Sequence, residues 1–188
     1  MTEKEKMLNG MIYDANYNPE LIEERIKCKD MCRDYNNLRP SAIEARETLL
    51  RELLGGVKEH FLVEQPFYCD YGYNIHLGEN FYSNVNMVIL DGAPVTFGDN
   101  VFVAPNCGFY TAGHPLDPVE RNRGLEYARP ITIGNNVWIG AGVSVLPGVT
   151  IGDNCVIGAG SVVNRDIPAW SLAAGNPCRV IRVIEPEK

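Results

Sequence analysis

Hydrophobic residues recur at every sixth position over the C-terminal part of the chain. From Ile133 to Pro168, six consecutive hexapeptides each open with an aliphatic residue, in the order IGNNVW, IGAGVS, VLPGVT, IGDNCV, IGAGSV and VNRDIP. An α-helix repeats its apolar positions about every 3.6 residues and a half-buried strand every second residue, so neither produces a period of six. The period predicts a parallel β-helix whose coils are triangles of three six-residue faces, with the aliphatic residues pointing into the core.

A corner pattern of apolar residue, glycine, acidic or amide residue and asparagine occurs four times. It occupies residues 77–80, 97–100, 133–136 and 151–154, and the spacing of 18 residues between the last two corresponds to one coil. The first two copies are 20 residues apart. We therefore expect an early coil that carries a two-residue bulge near residues 91–94.

The hexapeptide pattern is interrupted between the second and third corners. These corners are 36 residues apart, but residues 111–130 contain many charges and three prolines. We expect one coil plus a loop of about 18 residues that projects from the β-helix. Long irregular loops in compact domains are commonly functional, and this loop opens with Gly-His-Pro, which favours a functional role.

The chain divides into two parts of different character. Residues 1–56 carry no hexapeptides and are predicted to form a small N-terminal helical subdomain, whose first helix spans residues 3–13. The β-helix domain follows over residues 57–188 and ends in a C-terminal tail at residues 169–188. The predicted fold is therefore mainly β, with a helical segment at its start.

Two further helices are predicted in the N-terminal subdomain. Asn18 can accept a hydrogen bond from the first helical turn and Pro19 suits the first helical position. Residues 41–44 read Ser-Ala-Ile-Glu, the spacing of a capping box, and Gly55 ends the helix that this box would open. The predicted apolar faces comprise Leu21, Arg25, Cys28, Cys32 and Tyr35 on one helix and Ile43, Leu50, Leu53 and Leu54 on the other.

Composition excludes several classes of protein. The net charge is −7 and no basic stripe occurs, which argues against a nucleic-acid partner. The charged start of the chain and the lack of a long apolar run predict a cytoplasmic protein without membrane contact. The six cysteines are scattered and are expected to be reduced thiols. Cys28 and Cys32 could ligate a metal on one helix, but without a matching pair elsewhere we interpret them as buried structural thiols.

The three histidines raise the question of a metal enzyme. His60, His76 and His114 could suggest a metal-dependent carbonic anhydrase of the same fold, but such a centre needs ligands that converge on one point. His114 has no neighbouring histidine, so we predict no metal. It lies between Gly113 and Pro115 at the mouth of the loop, where its imidazole could act as a general base; a turn histidine is the alternative.

Five segments together resemble one enzyme family. Residues 11–14 (MIYD), 69–75 (CDYGYNI), 81–86 (FYSNVN), 111–115 (TAGHP) and 173–179 (AAGNPCR) are similar to motifs of the maltose and galactoside O-acetyltransferases of the left-handed β-helix superfamily. The resemblance covers essentially the whole chain. It implies acetyl transfer from acetyl-CoA to a sugar hydroxyl of a maltose- or glucose-type acceptor, and homotrimers with active sites between subunits.

The resemblance also implies roles on the acceptor side. His114 would be the general base for direct transfer without a covalent intermediate. Glu126 would either orient it or be a solvated loop charge. Asn84 would position the substrate or stabilise the transition state, with a plain corner asparagine as the alternative. Asp14 and Asp70 match positions that contact the acceptor.

Two positions near the acceptor site vary within the family. Galactoside-preferring relatives carry serine at the position of Asp70, so the aspartate implies a preference for glucose or maltose. Some members carry an acidic residue where this chain has Gly92, and Asp91 is the candidate replacement.

On the donor side, the resemblance implies contacts with CoA. Small residues at the third hexapeptide position would leave room for the pantetheine arm, and arginines would bind the nucleotide phosphates. Trp138 would line the donor tunnel or a subunit contact. The implied CoA-binding residues are Ala141, Ala159, Asn164, Arg165, Arg179 and Arg182.

Two other functions remain open at this point. An antibiotic- or xenobiotic-modifying acetyltransferase of the same superfamily would share the hexapeptides and the loop histidine, but it would lack the helical segment at residues 1–56. A non-catalytic β-helix scaffold would share the fold alone. Binding of CoA separates the scaffold from both enzymes.

Overall fold

The structure is a parallel β-helix with three flat faces, preceded by helices that cover its first coil. It is a computed structural model that describes residues 1–185. The last three residues of the predicted C-terminal tail lie outside the described residues.

The N-terminal subdomain contains three helices and one short strand. The second helix starts where the sequence predicts, because the Asn18 side chain accepts a hydrogen bond from the backbone N–H of Leu21. The elements are α1 (Glu3–Leu8), β1 (Tyr13–Asp14), α2 (Pro19–Asn37) and α3 (Ile43–Leu53).

The remaining elements form the coils and the interrupting loop. The first three coils contain β2 (Gly56–Val57), β3 (Phe61–Val63), β4 (Phe67–Cys69), β5 (Ile75–Leu77), β6 (Phe81–Ser83), β7 (Met87–Leu90), β8 (Val95–Phe97), β9 (Phe102–Val103) and β10 (Gly108–Tyr110). The loop contains β11 (Ala112–Gly113), α4 (Pro118–Asn122) and β12 (Leu125–Ala128). The later coils contain β13 (Ile131–Ile133), β14 (Trp138–Ile139), β15 (Ser144–Val145), β16 (Thr150–Ile151), β17 (Val156–Ile157), β18 (Val162–Val163), β19 (Ser171–Ala174) and β20 (Arg179–Val183).

Every third strand of the β-helix lies on the same face. The first face contains β2, β5, β8, β13 and β16; the second contains β3, β6, β9, β14, β17, β19 and β20; the third contains β4, β7, β10, β15 and β18. Neighbouring strands are parallel, except that β20 turns back antiparallel to β19. Strand β8 pairs directly with β13, so one coil plus the predicted loop connects them.

The corners between the first and second faces are held by a ladder of asparagines. Asn80, Asn100, Asn136 and Asn154 have φ between +55° and +59°, a left-handed conformation that asparagine tolerates better than most residues. Each side-chain amide donates to the amide oxygen of the next asparagine, at 3.0, 3.1 and 3.0 Å. The ladder therefore fixes the register of successive coils.

The glycine that precedes each of these corners is required by close stacking. A Cβ atom at Gly78 would lie 2.2 Å from the carbonyl oxygen of Gly98, and one at Gly134 would lie 2.3 Å from Oδ1 of Asp153. That same Oδ1 accepts a hydrogen bond from the Asn135 backbone N–H at 2.7 Å. The corner sequence thus encodes both the turn and the contact between coils.

The three faces differ in the residues that they turn outward. The first face presents polar residues in register, His76, Thr96, Thr132 and Thr150. The second face presents an apolar column of Leu62, Tyr82, Phe102, Trp138, Val156 and Leu172. Among these, the Phe102 and Trp138 side chains are more than half exposed.

The first coil has its open edge capped by side chains of the helices. Asn36 accepts a hydrogen bond from the Phe67 N–H and donates one to the Phe67 carbonyl, both at 2.9 Å. The Val63 carbonyl accepts hydrogen bonds from the Tyr35 hydroxyl and from the buried Arg46 guanidinium. These contacts satisfy backbone groups that would otherwise be available to another strand.

Three expectations about the N-terminal subdomain are wrong in detail. Helix α1 ends at Leu8 because Asn9 and Gly10 end it, well before residue 13. The capping box at residues 41–44 does not form, since Ala42 is the N-cap residue and no side chain caps α3. Ile43 is exposed, and Arg46 is buried on the inner face of α3 instead, where it caps the first coil.

No helix among residues 1–185 combines the length and the apolar character needed to cross a lipid bilayer.

We predict that Asn136→Ala destabilises the protein by about 2–3 kcal/mol, because alanine is strained at positive φ and cannot join the ladder. Asn136→Gly should cost about 1 kcal/mol, since glycine relieves the strain and loses only the side-chain hydrogen bonds. Urea unfolding of both variants and the wild type measures the difference. A glycine variant no more stable than the alanine variant would refute the strain argument.

Candidate active site

The interrupting loop is fixed to the N-terminal segment by a small sheet. Strand β12 pairs antiparallel with β11 on one side and with β1 on the other. The register sets Tyr13 opposite Glu126 and Gly113 opposite Tyr127. Residues from the start of the chain and from the loop are therefore brought to one place beside the β-helix.

His114 follows β11 and is held by a backbone contact. Its Nδ1 atom lies 3.0 Å from the carbonyl oxygen of Leu125. Because a carbonyl can only accept, Nδ1 carries the proton of the neutral ring, and Nε2 retains a free lone pair. The ring is about half exposed, and its Nε2 atom lies 3.7 Å from Oε1 of Glu126. The side chain can therefore accept a proton at Nε2 beside a carboxylate.

Glu126 occupies a largely buried position between the histidine and the N-terminal segment. The hydroxyl of Tyr13 donates a hydrogen bond to its Oε2 atom at 3.1 Å. Burial raises the pKa of Glu126, and this shift is opposed by the nearby His114 and by the Tyr13 hydrogen bond. The Leu125 carbonyl, rather than Glu126, makes the hydrogen bond that orients His114.

Beside Glu126 lies a polar cleft of about 150 Å³. Asp70 lines it, and burial raises the pKa of its carboxyl group while the charges of Lys29 and Arg25 oppose the shift. Arg25 donates hydrogen bonds to the Tyr71 hydroxyl and to the Ala15 carbonyl. The full lining is Tyr13, Asn16, Arg25, Lys29, Asp70, Tyr71, Gly92, Ala112 and Glu126.

Several lining residues were not predicted as site residues. Tyr13, Arg25, Lys29 and Tyr71 enter the cleft because α2 and β1 pack against the third face and the loop. Tyr13 and Tyr71 lie within the motifs of residues 11–14 and 69–75, which is the only signal in the sequence that could have identified them. Arg25 was assigned to an apolar helix face.

The two remaining acidic candidates lie beside the cleft rather than along it. One carboxylate oxygen of Asp14 accepts hydrogen bonds from the backbone N–H groups of Asn16 and Tyr17, which forms the turn before α2. Asp91 is fully buried, and its Oδ1 accepts from the N–H groups of Asp70 and Tyr71 at 3.0 and 2.9 Å. Asp91 therefore supports the backbone that carries Asp70. Gly92, and not Asp91, lines the cleft.

Asn84 lies on a different edge of the β-helix from His114. It follows β6, at the corner between the second and third faces, whereas the loop leaves the third face at its opposite edge, after β10. Its Oδ1 accepts the Val85 N–H, and its side-chain amide makes no hydrogen bond with residues 1–185. A groove of about 500 Å³ runs beside it, lined by Tyr82, Asn84, Phe102, Val103, Ala104 and Trp138.

The predicted small residues of the donor side lie along the same edge as Asn84. Asn84, Ala104, Gly140 and Gly158 occupy equivalent corner positions in successive coils, each N–H donating to a residue of the next coil. Ala141 and Ala159 follow in the chain and are both exposed. The edge therefore combines one free amide group with a column of small residues below it.

The charged candidates of the donor side lie at the C-terminal end of the β-helix. Arg179, on β20, donates a hydrogen bond to Oδ1 of Asn164 at 3.2 Å, so these two predicted residues are in contact. Arg182 lies opposite Leu172 in the same strand pair. Arg165 follows Asn164 directly in the chain and is exposed.

Similar proteins share both parts of the chain. The family model described as the maltose acetyltransferase hexapeptide capping motif matches residues 6–58, and that of the bacterial transferase hexapeptide, with six repeats, matches residues 130–165. The chain is 58% identical over 180 residues to a Saccharomyces cerevisiae protein that is provisionally named an acetyltransferase. The match covers 96% of this chain and 92% of that protein.

Solved structures give the same picture. The crystal structure of a maltose O-acetyltransferase from Clostridium difficile 630 is 55% identical, with a TM-score of 0.97 and 99% of both chains covered. A galactoside acetyltransferase in complex with coenzyme A is 48% identical, with a TM-score of 0.94, covering 98% of this chain and 92% of that one. The predicted left-handed β-helix class is confirmed by these likenesses.

We predict that the free energy of unfolding of the wild type falls relative to that of Asp91→Asn as pH rises from about 4 to about 6. Burial raises the pKa of Asp91 to about 6, so the folded state holds a proton that the unfolded state has lost. The change should total about 1–3 kcal/mol, because asparagine keeps the two backbone hydrogen bonds without an ionisable group. Urea titrations at several pH values measure it, and a difference that stays flat or reverses would contradict the assignment.

Proposed function

The chain belongs to the family of maltose and galactoside O-acetyltransferases, and on that premise we propose that it transfers the acetyl group of acetyl-CoA to a hydroxyl of a maltose- or glucose-type sugar. The observation that carries the proposal is the geometry of His114. Its Nδ1 is engaged by a backbone carbonyl and its Nε2 is free beside a carboxylate. A general base for a hydroxyl needs this arrangement.

The proposed reaction is a direct transfer. Nε2 of His114 removes the proton of the sugar hydroxyl as the hydroxyl oxygen attacks the thioester carbonyl. Glu126, 3.7 Å from Nε2, stabilises the imidazolium that forms. The tetrahedral intermediate then collapses, the C–S bond breaks, and the CoA thiolate takes the proton from the imidazolium. No covalent bond to the enzyme is formed in this scheme.

The acceptor side is the polar cleft beside Glu126. Its lining offers two carboxylates, Asp70 and Glu126, and the cationic groups of Arg25 and Lys29. Carboxylates accept hydrogen bonds from vicinal hydroxyls, and ammonium and guanidinium groups donate hydrogen bonds to hydroxyl oxygens. A cleft with both kinds of group therefore suits a sugar ring. Asp70 in place of serine favours glucose- or maltose-type acceptors over galactosides in this proposal.

The donor side is the edge that carries Asn84. The pantetheine arm of CoA would follow the small residues below it, past Ala141 and Ala159, with Arg179, Arg182, Asn164 and Arg165 towards the nucleotide. The free amide of Asn84 would then donate a hydrogen bond to the oxyanion of the tetrahedral intermediate.

A homotrimer would unite the two sides. Within one chain, Asn84 and His114 lie on separate edges, so a site that uses both draws them from neighbouring subunits. The apolar column on the second face, with Phe102 and Trp138 more than half exposed, gives a surface for lateral packing next to Asn84. Cyclic assembly of three chains would repeat this composite site three times.

The activity is tested directly by mixing the purified protein with acetyl-CoA and a panel of acceptors, and following the released thiol. Maltose and glucose should be acetylated faster than matched galactosides. Acetylation of antibiotics or other xenobiotics in preference to every sugar would replace the proposed acceptor. Binding of CoA without turnover of any acceptor would favour a scaffold.

We predict that His114→Ala lowers kcat by about 10²–10⁴-fold, the usual contribution of a positioned general base. The KM for acetyl-CoA should change little, since the histidine acts on the acceptor hydroxyl and is not among the proposed CoA contacts. Thiol-release kinetics measure both constants, and His76→Ala on the polar first face is the matched control. Wild-type turnover by the His114 variant would refute its role.

We also predict that two inactive variants restore activity when they assemble together. In trimers mixed at random from equal amounts of Asn84→Ala and His114→Ala chains, about a quarter of the interfaces would pair an intact Asn84 with an intact His114. Trimers purified through one tag on each kind of chain contain both chains, so one interface of three is intact in each, and their activity should recover to about a third of the wild-type value. Mixed trimers that remain inactive would mean that each site lies within one chain.

A further inference from the structure

Three buried cysteines converge between helix α2 and the third face. Cys28 and Cys32 lie one turn apart on α2. Cys69 is the last residue of β4 and lies next to both of them. Their sulfur atoms all lie within 4.8 Å of one another, with Cys69 Sγ 3.5 Å from Cys28 Sγ and 3.7 Å from Cys32 Sγ. We call these three residues the thiol triad. The sequence offered only the pair on the helix, and the fold supplies the third thiol.

The thiol triad differs from other buried cysteines of the chain in its hydrogen bonds. Cys107 donates to the Gly140 carbonyl and Cys155 to the Pro168 carbonyl, both at 3.1 Å. In the triad, by contrast, the short contacts are those among the three sulfur atoms, and one long contact of 3.5 Å reaches the Cys69 carbonyl. The triad thiols are therefore turned towards a common point instead of towards the backbone.

The spacing of the triad matches the ligand set of a tetrahedral metal. With Zn–S bonds of about 2.3 Å and tetrahedral angles, two sulfur ligands lie about 3.8 Å apart. The two measured separations are within about 0.3 Å of that value. Since the Cys28 and Cys32 sulfur atoms also lie within 4.8 Å of each other, a cation could bind with side-chain adjustments of about 1 Å or less.

The surroundings of the triad offer a nearby positive charge and access from solvent. Lys29 lines the same cavity as Cys32 and Cys69. This cavity has a volume of about 570 Å³ and shares Lys29 and Asp70 with the polar cleft. The cavity provides a route for a cation and space for a water molecule as a fourth ligand.

We propose that Cys28, Cys32 and Cys69 form a binding site for a thiophilic d¹⁰ cation, Zn²⁺ in the first instance, with three thiolate ligands and one water. Thiolate ligands bind soft and borderline cations in preference to hard cations such as Mg²⁺ or Ca²⁺. Binding releases the remaining thiol protons to solvent. The site is independent of the acetyl transfer proposed above, so the failure of one proposal leaves the other standing.

Cadmium is the probe that tests the site in the intact protein. The reduced, chelator-treated full chain should bind one Cd²⁺ per subunit with an ultraviolet thiolate-to-cadmium charge-transfer band, and Cd²⁺, the softer cation, should displace Zn²⁺ from the zinc-loaded site. Cys69→Ser should weaken the binding by about 100-fold or more. Loss of a residue that only hydrogen-bonds to a metal ligand already lowers the affinity by about 10–100-fold, and loss of a ligand itself should lower it further. Cys107→Ser, which removes an equally buried thiol outside the triad, should bind as the wild type does.

A measurement without any substitution covers the case in which a triad variant fails to fold. X-ray absorption of the zinc-loaded wild type should give three sulfur ligands at about 2.3 Å and one oxygen ligand. Coordination mainly by nitrogen and oxygen would overturn the proposal, since it would place the cation elsewhere. The absence of stoichiometric Cd²⁺ binding, or equal loss of binding in Cys69→Ser and Cys107→Ser, would overturn it as well.

Discussion

The whole architecture depends on corners that stack directly above one another. At each corner of the asparagine ladder an asparagine adopts a left-handed backbone conformation, and each of the first three donates its side-chain amide to the asparagine of the next coil. A slip of one residue would break this chain of hydrogen bonds and turn the inward side chains outward. The corners therefore determine the register, and the register decides which residues reach each face.

Regular stacking aligns equivalent residues of successive coils in columns. Each face or edge therefore has its own chemical character. One face is polar, one carries an apolar column, and one edge carries small residues below Asn84. The polar cleft beside Glu126 arises where the regularity is interrupted. There the loop, β1 and α2 form a second, smaller core around Tyr13, Leu21, Tyr71 and Ala128. That core is a rigid support for the loop that carries His114, whose side chain must hold its position to a fraction of an ångström.

Periodic features could be predicted from the sequence, whereas contacts between distant segments could not. The hexapeptides predicted the coils, the bulge near residues 91–94 and the projecting loop, because each is a local property of spacing. The cleft depends on the pairing of Tyr13 with Glu126, which are 113 residues apart, and no local pattern encodes it. The same holds for Cys69, which joins Cys28 and Cys32 through the packing of a helix on a strand. The capping box at residues 41–44 does not form because α3 begins one residue later than the box requires, with Ala42 as the N-cap residue.

The capped ends of the β-helix have a consequence for how the protein associates. A parallel coil is a template that an identical coil could extend without limit, as in a fibre. At one end, Asn36, Tyr35 and Arg46 occupy the backbone groups of the first coil, and at the other β20 reverses direction against β19. In the part of the chain that the structure describes, both ends therefore depart from the regular coil with which a further coil would pair. These departures disfavour growth along the axis and leave the sides of the prism as the surfaces for association.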